Sequence, residues 1–283
     1  MSTAGLMNGT QLANDIFARS AERAEDFLAR TGTKPCLATV IVGDDPASVT
    51  YVTMKENRSH RVGIASRHTA LPTTASSLNV VSAITRLSDD PTVHGILLQH
   101  PSPPQIDESA AFEAINPEKD VDGVTMHSFA AMALGRPGFV SCTPGGIIRL
   151  LDAYGVELSG RHAVVIGRSP ILGRPVGMLL LGRDATVTYC HSKTLELPSI
   201  VRTADIVVAA VGQPKFVKGD WLSPGVVIID AGYNPGNVGD VDFEEAIERA
   251  SLITPVPGGV GPMTIALLME QTVDAAFQQA ALS

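Results

Sequence analysis

Six short stretches of the chain, 37–42, 95–99, 163–167, 185–190, 206–211 and 226–230, are rich in Val and Ile and nearly continuous in hydrophobicity. A strand with one solvated face alternates apolar and polar residues. These do not alternate, which predicts strands buried on both faces, as in parallel sheets covered by helices. Between them, apolar positions recur at helical spacing over about 11–30, 48–60, 76–87, 144–154, 175–181 and 243–250. Strand and helix patterns alternate throughout, so the predicted fold class is α/β. Turn formers interrupt the rhythm at 116–123 (NPEKDVDG), marking a domain boundary, and 163–230 beyond it reads as a Rossmann-like unit. The segment 262–281 reads as one apolar helix with Pro262 in its first turn. Periodicity leaves open whether that helix returns to the first domain.

Length and composition narrow the class. A chain of 283 residues is comfortable for two domains, and 45% hydrophobic residues are ample for two cores. The net charge of −8, with no cluster of basic residues, excludes an electrostatic footprint for nucleic acid. The longest apolar runs are strand-sized, so no membrane span is expected. Asn8, Gln11, Asn14, Asp15 and Arg19 break up the first twenty residues, against a signal peptide. Cys36, Cys142 and Cys190 are widely spaced, which reads as reduced thiols in a cytoplasmic protein. The seven histidines form no HxxxH or HExxH pattern, so no metal site is expected.

The strand at 163–166 ends in Gly167-Arg168-Ser169-Pro170-Ile171-Leu172-Gly173-Arg174-Pro175. A glycine at a strand end lets the backbone approach a pyrophosphate, and the helix that follows offers N–H groups and a positive dipole end. The pattern departs from GxGxxG, because Ser169 stands at the second glycine position and Gly173 comes late. A plain strand-to-helix turn would read the same way. The next strand bears on the cofactor. NAD-preferring folds place Asp or Glu near its end to hold the ribose 2′-hydroxyl. Here the end reads Cys190-His191-Ser192-Lys193-Thr194, with no carboxylate to repel a 2′-phosphate, and Arg168, Ser192 and Lys193 suited to bind one. NADP is therefore favoured over NAD, although these residues read equally as a solvated turn.

In the first domain, Asp45 suits a helix cap and Pro46 a first turn. Ser48, Tyr51 and Lys55 then fall on one helix face, setting an aromatic ring beside an amine, a stacking platform with an acid–base group at its edge. By spacing alone Lys55 reads more readily as a solvated helix lysine. Gln99 ends a strand at the carboxyl edge, where open α/β sheets bind ligands, yet an amide there also satisfies loose backbone groups. Asp120 and Asp122 read either as ligand contacts or as turn formers. The loop 254–264 is rigid and nearly free of bulk through Gly258, Gly259, Gly261 and Pro262, suiting close approach to a flat ligand or simple connection.

Taken in order, VGDDPASVTYVTMK at 42–55, GILLQHP at 95–101, KDVDG at 119–123, CTPGGI at 142–147, GRSPILGRP at 167–175, CHSKT at 190–194 and TPVPGGVGPMT at 254–264 closely resemble the methylenetetrahydrofolate dehydrogenase/methenyltetrahydrofolate cyclohydrolase family. The resemblance spans nearly the whole chain. It implies a folate-binding domain of 1–121 completed by 265–283, an NADP-binding Rossmann domain of 122–264, a cleft between them, and a homodimer. It also implies that Lys55 is the catalytic lysine, Gln99 its hydrogen-bond partner, Tyr51 the ring against which folate stacks, and Asp122 a pterin contact. Ser48, Gly258, Gly259 and Pro262 fall on the substrate side, and Gly167, Arg168, Ser169, Gly173, Ser192 and Lys193 on the cofactor side. The implied chemistry is oxidation of 5,10-methylenetetrahydrofolate followed by hydrolysis of the methenyl cation to 10-formyltetrahydrofolate. A lysine beside that cation is expected to titrate below its ordinary range and to shuttle protons near pH 7.

Three departures from the family pattern bear on folate affinity and on the balance of the two activities. Gln-His-Pro-Ser-Pro at 99–103 replaces the usual Gln-Leu-Pro-Leu-Pro, Asn57 replaces a second lysine, and Asn8-Gly9 replaces an Asp-Gly. The rival readings are a monofunctional dehydrogenase of the same family, an unrelated NADP-dependent dehydrogenase, and a non-catalytic folate-binding relative. The presence of Lys55, Gln99 and Asp122 together argues against the last.

Overall fold

A computed structural model describes residues 4–44 and 46–282, and of residues 46–53 the backbone alone. The first half of the chain runs β1 (Gly5–Leu6), α1 (Gly9–Thr31), β2 (Cys36–Val42), α2 (Pro46–Val62), β3 (Ala65–Leu71), α3 (Ser77–Asp89), β4 (Gly95–Leu98), α4 (Glu108–Glu113), α5 (Met126–Ala133) and α6 (Cys142–Ala153). The second half runs β5 (His162–Ile166), α7 (Gly173–Leu181), β6 (Thr186–Cys190), α8 (Leu197–Val201), β7 (Ile206–Ala209), β8 (Val227–Asp230), α9 (Phe243–Ala246), β9 (Leu252–Ile253) and α10 (Val260–Gln279). The chain divides into two units. One comprises the segment ending at Asn14 with Met132–Gly135 and Ser141–Thr264, and the other Asp15–Ala131, Arg136–Val140 and the chain from Ile265 onward.

The second of these units is built on a three-stranded parallel sheet in the order β3–β2–β4. Central β2 is buried on both faces from Leu37 to Val42, and β4 along its whole length, which is why both lack an alternating pattern. Val80 and Ile84 of α3 and Phe27 of α1 supply fully buried side chains to this core. The Phe27 ring meets His94 and Phe277 edge-on at 5.5 and 5.3 Å. The segment of α10 after Ile265 is tied in by its polar side chains. The Ser59 hydroxyl contacts the Met269 sulfur at 3.4 Å, Gln271 donates to the carbonyls of Val121 and Val140, and Gln279 donates to that of His94.

The other unit carries a six-stranded parallel sheet in the order β1–β9–β8–β7–β5–β6. Val164, Ile166, Val207, Ala209, Ile228 and Ile253 fill one continuous core with Val201 of α8 and Ala246 of α9. From β5 the chain steps to β6 on one side, then returns past β5 to β7 on the other. That reversal lies between β5 and β7, and their carboxyl ends form the crevice where sheets of this order hold ligands. Asn8 supplies the α1 cap, its Oδ1 accepting the Gln11 N–H at 3.2 Å. Asn and Asp cap about equally well, so Asn8 in place of Asp costs this helix nothing.

Candidate active site

Lys55 lies on α2 one turn before Ser59, whose hydroxyl donates to the Lys55 carbonyl at 3.0 Å and whose oxygen rests 3.4 Å from the Met269 sulfur of α10. From this helix the Lys55 Nζ donates to Gln99 Oε1 at 3.0 Å. Gln99 follows the last residue of β4 and is buried, 9% exposed. Its Nε2 donates to the His100 carbonyl at 2.9 Å. A carbonyl only accepts, so this bond determines which end of the amide faces the lysine: the oxygen. The result is a half-buried amine held by a neutral acceptor whose orientation is set by its own backbone. Gln99 thus meets a backbone group and the lysine at once.

Tyr51 and Ser48 share α2 with Lys55, one and two turns earlier, and their side chains lie outside the described residues, as does the Asp45 cap. Asp122 sits in the turn before α5. That turn is organised by Asp120, which is fully buried and accepts from the Val124 N–H at 3.0 Å, the Thr125 N–H at 2.9 Å and the Ser128 hydroxyl at 2.6 Å. Asp120 is therefore a turn former, and the α5 cap is Thr125, whose hydroxyl accepts the Ser128 N–H at 3.1 Å. Val121 packs its methyls against Gly95, at the amino end of β4, where an added Cβ would stand 2.7 Å from them. The geometry thus joins Lys55 to Gln99 and places Asp122 in a separately anchored turn of the same unit. The two departures beside Gln99 have local roles. The His100 ring packs edge-on to Phe112 at 6.2 Å, and the Ser102 N–H donates to Glu108 Oε1 at 2.5 Å. Asn57 is exposed on α2.

In the sheet of six strands, Gly167 follows β5 with φ +128°, in the region that favours glycine. A Cβ there would lie 2.2 Å from the Ala210 carbonyl oxygen, and a Cβ on Gly173 2.5 Å from the Gly167 oxygen. The two glycines thus let the first turn of α7 press onto the strand end. The helix start differs from the sequence expectation. Its Leu172 and Gly173 N–H groups both donate to the Ser169 hydroxyl at 3.2 Å, and the Arg174 N–H to the Ser169 carbonyl. Ser169, standing at the position of a second glycine, caps the helix and occupies donors that the motif alone leaves for a phosphate. Arg168 is exposed on this turn. Gly167 donates to the Cys190 carbonyl at the end of neighbouring β6, beyond which Ser192 and Lys193 are exposed on a turn closed by Thr194. Gly167, Arg168, Ser169, Gly173, Ser192 and Lys193 therefore gather at one carboxyl edge.

The loop 254–259 is shaped by its own packing. Gly258 has φ +105° and its carbonyl accepts the Thr10 N–H at 3.1 Å. A Cβ on Gly259 would lie 2.6 Å from the Pro255 oxygen, and one on Gly9 would lie 1.9 Å from the Gly259 oxygen. Pro262 is half-buried in the first turn of α10.

Sequence reasoning missed one polar centre in this unit. Asp230 and Asp240 are both buried and bind backbone N–H groups at the carboxyl ends of β7 and β8. No motif spacing marks them: the backbone donors to Asp240 lie 27–29 residues back in the chain, and those to Asp230 are scattered over the loop that follows it, 2, 10 and 11 residues on. The GD dipeptide at 239–240 was the available signal, a glycine set against an acid in a loop.

The family comparisons cover both units. Residues 7–122 match the tetrahydrofolate dehydrogenase/cyclohydrolase catalytic domain, and residues 141–280 match the NAD(P)-binding domain of the same family. The bifunctional protein FolD 1 of Streptomyces avermitilis is 67% identical across 98% of this chain and 96% of its own length. That of Salinispora arenicola is 63% identical across 97% and 98%. Among solved structures, the bifunctional FolD enzyme of Campylobacter jejuni superposes with a TM-score of 0.94 at 41% identity, covering 97% of this chain and 99% of its own. The Trypanosoma brucei methylenetetrahydrofolate dehydrogenase-cyclohydrolase, complexed with NADP and an inhibitor, gives 0.95 at 36% identity with full coverage of both chains. Shikimate dehydrogenase from Thermus thermophilus, at 16% identity and a TM-score of 0.55, shares the fold alone. With two domain models matched in order and relatives this similar over their whole length, the chain belongs to the tetrahydrofolate dehydrogenase/cyclohydrolase family.

Proposed function

We propose that this protein oxidises 5,10-methylenetetrahydrofolate to the 5,10-methenyl form with NADP, and hydrolyses that cation to 10-formyltetrahydrofolate, in one-carbon metabolism. The observation that carries the reading is the Lys55 Nζ to Gln99 Oε1 hydrogen bond at 3.0 Å, formed by the two residues that the family motifs point to. The exposed Arg168, Ser192 and Lys193 at adjoining strand ends, with no carboxylate in the turn after β6, fit a cofactor bearing a 2′-phosphate. When bound, NADP supplies the acceptor for the hydride that leaves the methylene carbon.

The protein's own task in the oxidation is alignment, because the folate nitrogens stabilise the cation that forms. In the hydrolysis, water attacks the amidinium carbon of the methenyl bridge and must lose a proton, and the ring nitrogen that departs must gain one. Lys55 is the group assigned to that proton traffic. Gln99 holds its amine without adding a negative charge that would keep it protonated. Tyr51 is assigned to stacking on the folate, Ser48 and Asp122 to its polar edge, and Gly258, Gly259 and Pro262 to close backbone approach. The folate-binding role is assigned to the unit of 15–131, 136–140 and the chain from 265 onward, and the cofactor role to the unit of 141–264 with 132–135 and the segment ending at Asn14. These bounds replace the expected 1–121 with 265–283 and 122–264, because β1 pairs with β9 and the Asp120–Asp122 turn packs with the three-stranded unit. The family resemblance also supports a homodimer working in the cytoplasm, which sedimentation and cell fractionation would check.

The test supplies methylenetetrahydrofolate with NADP or NAD and follows reduced cofactor together with methenyl absorbance. Wild-type protein should reduce NADP without methenyl build-up. Lys55→Met should lose hydrolysis of added methenyltetrahydrofolate while still binding folate, and undiminished hydrolysis by that variant would overturn the assignment. Methenyl build-up in the wild type would instead identify a dehydrogenase alone.

A further inference from the structure

The crevice between β5 and β7 has two lips, the Gly167 turn and the segment 210–213, and they touch where Gly167 meets the Ala210 carbonyl. The second lip is gripped by one side chain. Asp240 Oδ2 accepts the N–H groups of Val211 at 2.6 Å and Gly212 at 2.8 Å. Its Oδ1 accepts the Gln213 N–H and the Asn234 Nδ2, both at 3.0 Å. Three successive backbone donors thus converge on a fully buried carboxylate, with Gly212 at φ +66° allowing the curl.

The cradle itself is constructed with care for space and charge. The Asp240 N–H donates to Asp230 Oδ1 at 2.9 Å, and Asp230 Oδ2 accepts the Val241 N–H at 2.9 Å. A Cβ on Gly232 would lie 2.2 Å from the Asp240 carboxyl carbon, and one on Gly239 would lie 1.9 Å from Asp230 Oδ2. Among the described residues neither carboxylate pairs with a Lys or Arg, while Lys215 and Lys218 pair with Asp242. Burying two carboxylates without a cation is costly. A neutral side chain would cap one or two donors; only a carboxylate accepts from four and donates to none.

We propose that Asp240 is a positioning residue for the dinucleotide: it shapes the 210–213 lip and spends that lip's N–H groups, so the lip receives an uncharged part of the cofactor. The phosphates then fall to the side carrying Arg168, Ser192 and Lys193. This inference rests on the NADP reading above.

In Asp240→Asn the amide nitrogen faces backbone donors whichever way it is turned, so the lip is released. Gly212→Val leaves the carboxylates intact but sets a β-branched residue at a positive φ it does not hold. With the full-length protein, NADPH binding is titrated by the cofactor's own fluorescence, adenosine 2′,5′-bisphosphate binding by calorimetry, and cofactor-free hydrolysis of methenyltetrahydrofolate by absorbance. Both variants should bind NADPH at least tenfold more weakly, bind the bisphosphate within twofold of wild type, and keep hydrolysis within threefold. NADPH affinity within twofold of wild type in Gly212→Val would overturn the proposal even if Asp240→Asn failed to fold. Bisphosphate binding weakened in proportion to NADPH would overturn it as well. Wild-type protein that bound neither NADP(H) nor NAD(H) would bring down the cofactor reading and this inference together.

Discussion

Replacing Gln99 by leucine removes the acceptor from Lys55 while nearly conserving volume. The lost bond is 3.0 Å long, joins an amine to an amide that is 9% exposed, and has its acceptor oriented by the His100 carbonyl. Hydrogen bonds to charged groups contribute roughly 1.5–3 kcal/mol when partly buried. If that energy serves to place the amine in the transition state of hydrolysis, its loss lowers kcat by about 10- to 100-fold, at about 1.4 kcal/mol per decade. Folate affinity should change little, since the contact is to Lys55. The assay is decay of methenyl absorbance without cofactor, over a range of substrate that separates kcat from KM. Gln99→Glu adds the opposite control. One carboxylate oxygen must then face the His100 carbonyl, and the other pairs with the amine and raises its pKa, moving the hydrolysis profile to higher pH. Hydrolysis within twofold of wild type in Gln99→Leu, or an unmoved profile in Gln99→Glu, would refute the role of this pair.

Two further outcomes follow from the buried acids. Asp120→Ala removes three hydrogen bonds at a fully buried site and should cost about 3 kcal/mol, lowering Tm by roughly 6–12 °C, and should raise the KM for folate through the loosened Asp122 turn; a Tm within 2 °C of wild type contradicts it. Burial pushes the Asp230 carboxyl up to about 6, with the nearby Asp240 adding to the rise and the N–H groups of Val241, Asp240 and Gly232 opposing it. The folded protein therefore holds this proton more tightly than the unfolded chain. Its ionised form weakens the fold above pH 6, by on the order of 3 kcal/mol, and the penalty fades as pH falls from about 6 towards 4. Denaturant titrations should show the Tyr- and Trp-reported stability of wild type, relative to Asp230→Asn, rising over that window on acidification; a flat difference would exclude the effect.

Strands β2, β4, β5, β7 and β8 were legible as apolar runs because each is buried along most or all of its length, so hydrophobicity by itself marks them. Strand β3 was not. Its sequence ASRHTAL is a half-exposed edge, and only pairing with β2 makes it a strand. Strands β1 and β9 are two residues each, and β1 reaches its partner from the far end of the chain, so local pattern holds no trace of them. The α/β class, the turn at Gly167 and the placing of Gln99 at a strand end were determined by the sequence alone, through periodicity and residue type. Tertiary structure decided why Gly167 and Gly173 must lack side chains, which end of Gln99 faces Lys55, and that Ser169 caps α7. It also decided that Asp230 and Asp240 hold the ends of β7 and β8. Each of these depends on a donor, an acceptor or a close contact, and for Lys55, Ala210 and the lip of β7 the partner is tens of residues away in the chain, where only folding brings it within about 3 Å.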